Sequence, residues 1–409
     1  MKRKALLLVL ALVFLEWLDF SLYLYLAKSV FAVKFFPPSE YSLELTFALF
    51  AAAYFARPVG GWLFGCKADL SGRRNPMVFS AALMGLATLG IALLPDYAQI
   101  GLWATWGLLL LRMAQGLALG GEINTSAMFL VEHHPHRVLL AGALVAAGGA
   151  FGMFIGSALA TLLQYISLPE VWRIIFALVG FVSLWVCHLR KQLQESPEFR
   201  KNQLPMAGIW RRYWRGFVNI AAIAFFVSIT VYICNVFWVS FAIDRQLWSE
   251  KACAWTGSLA QLASALLAIP IAYFAKPKQV YHLMRASMLL AIITAPALFY
   301  FTLQAKTVGV LIAITGYALT NALICASLYY LLYLQLPAQY RCRGVSTIWA
   351  IAAGLGAVGL PIAEQATIMK IFWLPGLLVA MTVTLCFILL SNYQYQFGYS
   401  TNDKMTEGL

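Results

Sequence analysis

Apolar runs long enough to cross a bilayer recur from end to end of this chain. A helix needs about 20 such residues to span the hydrocarbon core. On that rule twelve spans fall near residues 5–27, 43–65, 76–94, 103–131, 138–163, 171–189, 214–242, 253–275, 285–304, 308–334, 345–367 and 372–392. Inside lipid each backbone N–H and C=O must be satisfied within the segment, so such runs form helices. Only 11% of the 409 residues are charged, against about 25% in soluble domains. The expectation is an all-α, multi-pass membrane protein with no soluble domain of useful size. The basic and then apolar start, Met1–Phe14, resembles a signal peptide. Glu16 and Asp19 stand where a cleavage region would be, so it reads as a retained first span.

The net charge of +13 comes from short loops between spans. That is an orientation signal rather than a nucleic-acid patch. With both termini cytoplasmic, inner segments hold 20 Lys and Arg and outer loops hold 6, with Arg57, Arg112 and Arg173 assigned to spans. The longest inner loop, 190–213, separates two six-span halves, 1–189 and 214–409, the second ending in a short cytoplasmic tail. A weak repeat relates them. HPHRVLLAG (His134–Gly142) and LPAQYRCRG (Leu336–Gly344) occupy equivalent turns, each followed by a glycine-rich span. Parallel six-span repeats suit a rocking transporter. The seven cysteines show no CxxC spacing, and the histidines at 133, 134 and 136 sit on a basic turn, so no metal or cofactor is expected. No P-loop and no hydrolase pattern is present, so the chain reads as no enzyme, driven by an ion or substrate gradient.

The informative residues are charges inside oily spans, because one charge at a bilayer centre costs roughly 3 kcal/mol on insertion scales. Glu16 and Asp19 are three apart on one face of span one, roughly 16–21 Å from its cytoplasmic start. Arg112 lies roughly 14 Å from the outer edge of span four, at a similar depth. Glu122 and Arg57 both fall nearer the cytoplasm. Depth therefore pairs Glu16 and Asp19 with Arg112, and Glu122 with Arg57. A carboxylate between burial and an arginine can gain and lose a proton, so Asp19, Glu16 and Arg112 are the proton-coupling candidates. A static ion-pair network that orients helices is the alternative. Arg112, Tyr23, Tyr232, Asn235, Trp238, Tyr317, Asn321 and Trp349 are the candidates to contact substrate, since polar-tipped aromatics and amides can line a cavity.

Five motifs add a family likeness. Gly65, Asp69, Gly72, Arg73 and Arg74 in GCKADLSGRR resemble the loop between spans two and three of the major facilitator superfamily, with Leu70 where that family usually has arginine. EWLDF (Glu16–Phe20), RPVGG (Arg57–Gly61), RMAQGLALGGE (Arg112–Glu122), and WRIIF (Trp172–Phe176) with ESPEF (Glu195–Phe199) resemble its metabolite:proton symporter branch. That branch includes proline/betaine, shikimate, citrate and 2-oxoglutarate permeases. The likeness implies two six-helix bundles around a central cavity, alternating access, and a conformational latch at Gly65, Asp69, Gly72, Arg73 and Arg74. The turn between spans eight and nine, Ala275–Arg285, has no acidic residue for a symmetric latch.

The expected function is proton-coupled import of a small polar metabolite across a bacterial inner membrane, by a monomer in the bilayer. An organic (poly)carboxylate fits an arginine in the cavity best, with a carboxylate siderophore as an extension. Export of a drug or siderophore on the same fold, and a transport-inactive receptor or scaffold, are the alternatives.

Overall fold

A computed structural model describes residues 3–37, 42–163, 170–199 and 209–393. The middle of the 190–213 loop (200–208) and the tail beyond 393 lie outside the described residues. We number the long helices α1 (Arg3–Leu26), α2 (Ser42–Ser71), α3 (Arg74–Leu93), α4 (Leu102–His133), α5 (Val138–Leu163) and α6 (Val171–Arg190). The second six are α7 (Trp214–Asp244), α8 (Glu250–Phe274), α9 (Val280–Leu303), α10 (Thr307–Tyr333), α11 (Ala338–Ile368) and α12 (Leu374–Leu389). These match the twelve expected spans. α2 and α11 run furthest past their apolar windows because their inner ends stay helical outside the hydrocarbon, whereas α12 is shorter than its window.

Three irregularities were not visible in the pattern. The first span continues through a π segment, Ala27–Phe31, to Lys34. α7 contains a π turn, Tyr232–Phe237, a feature often found at functional sites. α11 is interrupted at Val358.

Helix pairing repeats between the halves. In the first six, α1 packs on α5, α2 on α4, and α3 on α6. Six places later α7 packs on α11, α8 on α10, and α9 on α12. Between the halves α2 lies along α11, and α5 lies along α8 and α10. Small residues set these approaches. A Cβ on Gly152 of α5 would stand 2.4 Å from the Phe14 carbonyl oxygen of α1. We call inner the end with the turns after α2, α4, α6 and α10, and outer the opposite end.

The outer end of the first half is tied by charge. Lys34 reaches Asp96 at 3.0 Å and Glu170 at 2.6 Å. Arg173 binds Asp96 and Glu170 and donates to the carbonyls of Ala92 and Leu94. Assigned to a span by sequence, Arg173 instead sits at this surface, at the first turn of α6.

Candidate functional site

A cavity of about 140 Å³ opens between the halves. Trp17, Phe20 and Leu24 line it from α1, at the three- and four-residue spacing of one helix face. Arg57, Asn124 and Met153 contribute from α2, α4 and α5. The second half supplies Tyr232 from the π turn, Gln261, Asn321, Tyr329 and Trp349. Among the described residues lining it, Arg57 is the only charged one. Its guanidinium lies 3.7 Å from the ring centroid of Tyr54 and 5.1 Å from that of Phe20. Opposite, the Asn321 amide donates to Gln261 Oε1 (3.1 Å), and Gln261 Nε2 donates to the Tyr317 hydroxyl (3.3 Å).

Of the substrate-contact candidates, Tyr232, Asn321 and Trp349 line this cavity, whereas Arg112, Tyr23, Asn235, Trp238 and Tyr317 do not. Trp238 donates its indole N–H to Thr302 (2.9 Å), and the Asn235 amide donates to the Gly257 carbonyl (3.0 Å), both within the second half. Tyr317 stands behind Gln261 as its support. Gln261, Asn124 and Arg57 were not read as cavity residues from sequence. A lone glutamine in the apolar run of α8 was the available signal for the first.

Asp19 and Arg112 are both buried just behind the α1 wall of the cavity, joined by Gln115. Arg112 Nη1 donates to Gln115 Oε1 at 2.6 Å, and Gln115 Nε2 donates to Asp19 Oδ2 at 2.7 Å and to the Thr88 hydroxyl at 2.9 Å. The Arg112 guanidinium also covers the Tyr23 ring at 3.7 Å. The sequence placed the carboxylate and the arginine at one depth. It did not show the amide that bridges them, although Gln115 sits three residues along within the same motif. Glu16 is also buried, and neither of its carboxyl oxygens has a hydrogen-bond partner among the described residues.

The expected Arg57–Glu122 pair does not form. Glu122 binds Arg190 and Ser80, and accepts from Ser126 at 3.0 Å. Arg190 also donates to the Val9 carbonyl at 3.0 Å, which ties α6 to α1. The reason is angular. A Cβ on Gly120 would lie 2.1 Å from the Arg57 carbonyl oxygen, so Gly120 marks the face of α4 pressed against α2. Glu122 is two residues further, about 200° around the helix, and points away from α2. Arg190 had been counted with the loops, yet it is fully buried.

At the inner end the two halves are clamped. Asp69 of α2 accepts from the backbone N–H of Cys342 (3.1 Å) and of Arg343 (3.0 Å) in α11. Arg73 forks onto Glu132 at 3.0 and 3.1 Å and donates to the Ala338 carbonyl at 2.7 Å. Arg341 crosses from α11 to Glu132 (2.7 Å) and Glu198 (2.8 Å), and the Tyr333 hydroxyl donates to Glu198 at 2.6 Å. Gly65 admits the α11 backbone, since a Cβ there would lie 2.5 Å from the Arg343 Cα. Gly72 turns the chain at φ 100°, a conformation glycine adopts freely, and seats Glu195 against the N–H groups of Arg73 and Arg74. The Arg74 side chain, expected in the latch, instead donates to its neighbour Asn75 at 3.3 Å. Glu132, Glu195, Glu198 and Arg341 were not foreseen as members. On the repeat-related side, Arg137 stands over the Tyr273 ring at 5.3 Å, and the Ala275–Arg285 turn supplies no carboxylate.

The family model described as Major Facilitator Superfamily matches residues 9–361. The alpha-ketoglutarate permease of Escherichia coli is 29% identical over 378 residues, covering 82% of this chain and 81% of the permease. A putative proline/betaine transporter of Staphylococcus aureus is 34% identical over 241 residues, covering 57% of this chain and 50% of that protein. The chain thus spans about half the length of that second relative. The crystal structure of the human organic anion transporter MFSD10 superposes with a TM-score of 0.74 at 16% identity, covering 95% of this chain and 99% of that one.

Proposed function

Because the chain belongs to the Major Facilitator Superfamily, and so is a multi-pass membrane transporter rather than an enzyme, we propose that it imports a small organic carboxylate together with protons. The inner end faces the cytoplasm of a bacterial inner membrane, as the 20-to-6 distribution of Lys and Arg argues. Both termini lie on that side, and the protein works as a monomer. The carrying observation is the buried Asp19–Gln115–Arg112 chain directly behind the cavity wall. A carboxyl held there between burial and an arginine can change protonation when water or substrate enters the cavity. Arginine keeps its charge and acts through Gln115 rather than as the carrier.

The name of the permease that matches most of the chain supports a carboxylate cargo. The cavity volume of about 140 Å³ has room for roughly five waters at about 30 Å³ each. That suits a small metabolite better than a siderophore.

The test is uptake of radiolabelled 2-oxoglutarate into proteoliposomes with an imposed pH gradient. Asp19→Asn is expected to abolish gradient-driven accumulation while preserving exchange counterflow. Undiminished accumulation by Asp19→Asn refutes the proton role. Accumulation driven only by the opposite gradient refutes import.

A further inference from the structure

We infer that Arg57 is the residue that holds a substrate carboxylate, with the substrate's other end reaching the Gln261–Asn321 amides of the opposite half. This deepens the reading of carboxylate import and rests on it. Sequence depth had made Arg112 the meeting point of proton and substrate. The side chains divide those tasks between two arginines.

Four observations carry the inference. Arg57 lines the cavity and is half-buried, whereas Arg112 is outside the lining and almost fully buried. No Asp or Glu forms an ion pair with Arg57 among the described residues, while Arg73, Arg190 and Arg341 each hold a carboxylate. Its Nε is shielded from solvent and has no hydrogen-bond partner. Finally, the guanidinium sits against the Tyr54 and Phe20 rings and its side chain meets the Tyr54 hydroxyl, neutral contacts that hold it in place and leave its charge unbalanced.

An arginine in that state is prepared for one kind of ligand. Its planar fork matches a carboxylate with two parallel hydrogen bonds, and stacking on aromatic rings reduces the freedom lost on binding. A cation inside a protein without an opposing charge is costly, and a bound anion supplies that charge. Across the cavity, Gln261 and Asn321 offer neutral amides, which suit an oxo, hydroxyl or second carboxyl group. Between them the walls are aromatic and aliphatic: Trp17, Leu24 and Met153 on one side, Tyr232 on the other. The chemistry described is a short aliphatic carboxylate, charged at the Arg57 end and polar at the far end. Such a molecule would touch both halves at once, as a solute carried by alternating access must.

The experiment is equilibrium binding to the purified full chain, read by fluorescence of Trp17 and Trp349 in the cavity wall. The probes are 2-oxoglutarate, its dimethyl ester and glycine betaine, against wild type, Arg57→Gln, Arg57→Lys and Asp19→Asn. Wild type is expected to bind the diacid and not the diester. Arg57→Gln should weaken that binding about 10- to 100-fold, the size of a lost hydrogen bond to a charged group. Arg57→Lys should fall between, and Asp19→Asn should retain binding. Equal binding by wild type and Arg57→Gln overturns the inference and leaves proton-coupled import standing. Equal binding of diacid and diester, binding of betaine alone, or binding of none of the three overturns the carboxylate anchor. The pH-gradient assay then reports separately on transport. If Arg57→Gln does not fold, phenylglyoxal on wild type decides. Modification of Arg57 that 2-oxoglutarate slows supports the assignment, and modification that it leaves unchanged refutes it.

Discussion

Removing the Arg341 side chain should spring the inner clamp. Arg341 belongs to α11, yet its carboxylate partners are Glu132 of α4, at 2.7 Å, and Glu198 at 2.8 Å. Glu198 lies in the stretch of the 190–213 loop whose Glu195 and Ser196 bind Arg73 and Glu132 of the first half. Arg341→Leu therefore removes ion pairs that exist only while the inner end is closed. Breaking a buried pair costs roughly 3–5 kcal/mol. The lower figure applies, because Glu132 keeps the Arg73 fork and Glu198 keeps the Tyr333 hydroxyl. About 3 kcal/mol moves the closed-to-open ratio on the order of 10²-fold. The neighbouring Cys342 is fully buried in the clamp and provides a native reporter. In a Cys66→Ser background, an impermeant maleimide applied to the inner face of membrane vesicles should label Cys342 only after opening. When opening and closing are fast, the labelling rate follows the open population. The variant should label on the order of 10²-fold faster than its parent. An unchanged rate would mean that Arg341 does not hold the halves together.

Two further outcomes test the charge assignments. Glu122→Gln leaves Arg190 buried without its carboxylate and should destabilise the protein by roughly 3–5 kcal/mol, seen as a lower apparent Tm, whereas Arg57→Gln should change Tm little. Equal losses would revive the Arg57–Glu122 pairing. At the outer end, the hydrogen bond from Lys34, assisted by Arg173, holds the Glu170 carboxyl below its ordinary 4.5. Hydrogen bonds to Glu170 and then Asp96 hold the Lys34 amine above its ordinary 10.5. A depressed acid stabilises above its unfolded pKa and loses this as pH falls through the folded one; a raised amine does so below its own and loses it as pH rises. The Tm difference between wild type and Glu170→Gln should thus be largest between about 4.5 and 10.5 and shrink on acidification below 4.5. A difference that persists at low pH would refute the ionic origin of the tie.

Height in the membrane was readable from sequence, and direction around a helix was not. Counting at 1.5 Å per residue set Asp19 and Arg112 at one level, and Gln115 does join them. The same count set Arg57 near Glu122, yet the two leave their helices on different sides because Gly120 takes the face that meets α2. Arg190 was hidden for another reason. It ends an apolar span at the inner boundary, where basic residues usually mark orientation, so nothing local distinguished a buried partner from a solvated one. The twelve helices and the Asp69 turn were legible because each rests on local chemistry: apolar length, and a glycine at positive φ. The rest of the clamp was not. Glu132, Glu198 and Arg341 are separated by up to 209 residues and become neighbours only when the halves meet.

The way Asp69 grips α11 also bears on how this chain can change over time. Its carboxylate takes the main-chain N–H groups of Cys342 and Arg343 at 3.1 and 3.0 Å, and the Arg343 guanidinium adds a longer ion pair at 3.9 Å. Any residue except proline presents that group. The two hydrogen bonds therefore constrain an acid in the first half more tightly than the side chains at its docking point in the second. A substitution at 343 would remove the longer ion pair and leave both main-chain hydrogen bonds in place. The recognisable motifs, which run from Glu16 to Phe199, gather on the half that does the gripping.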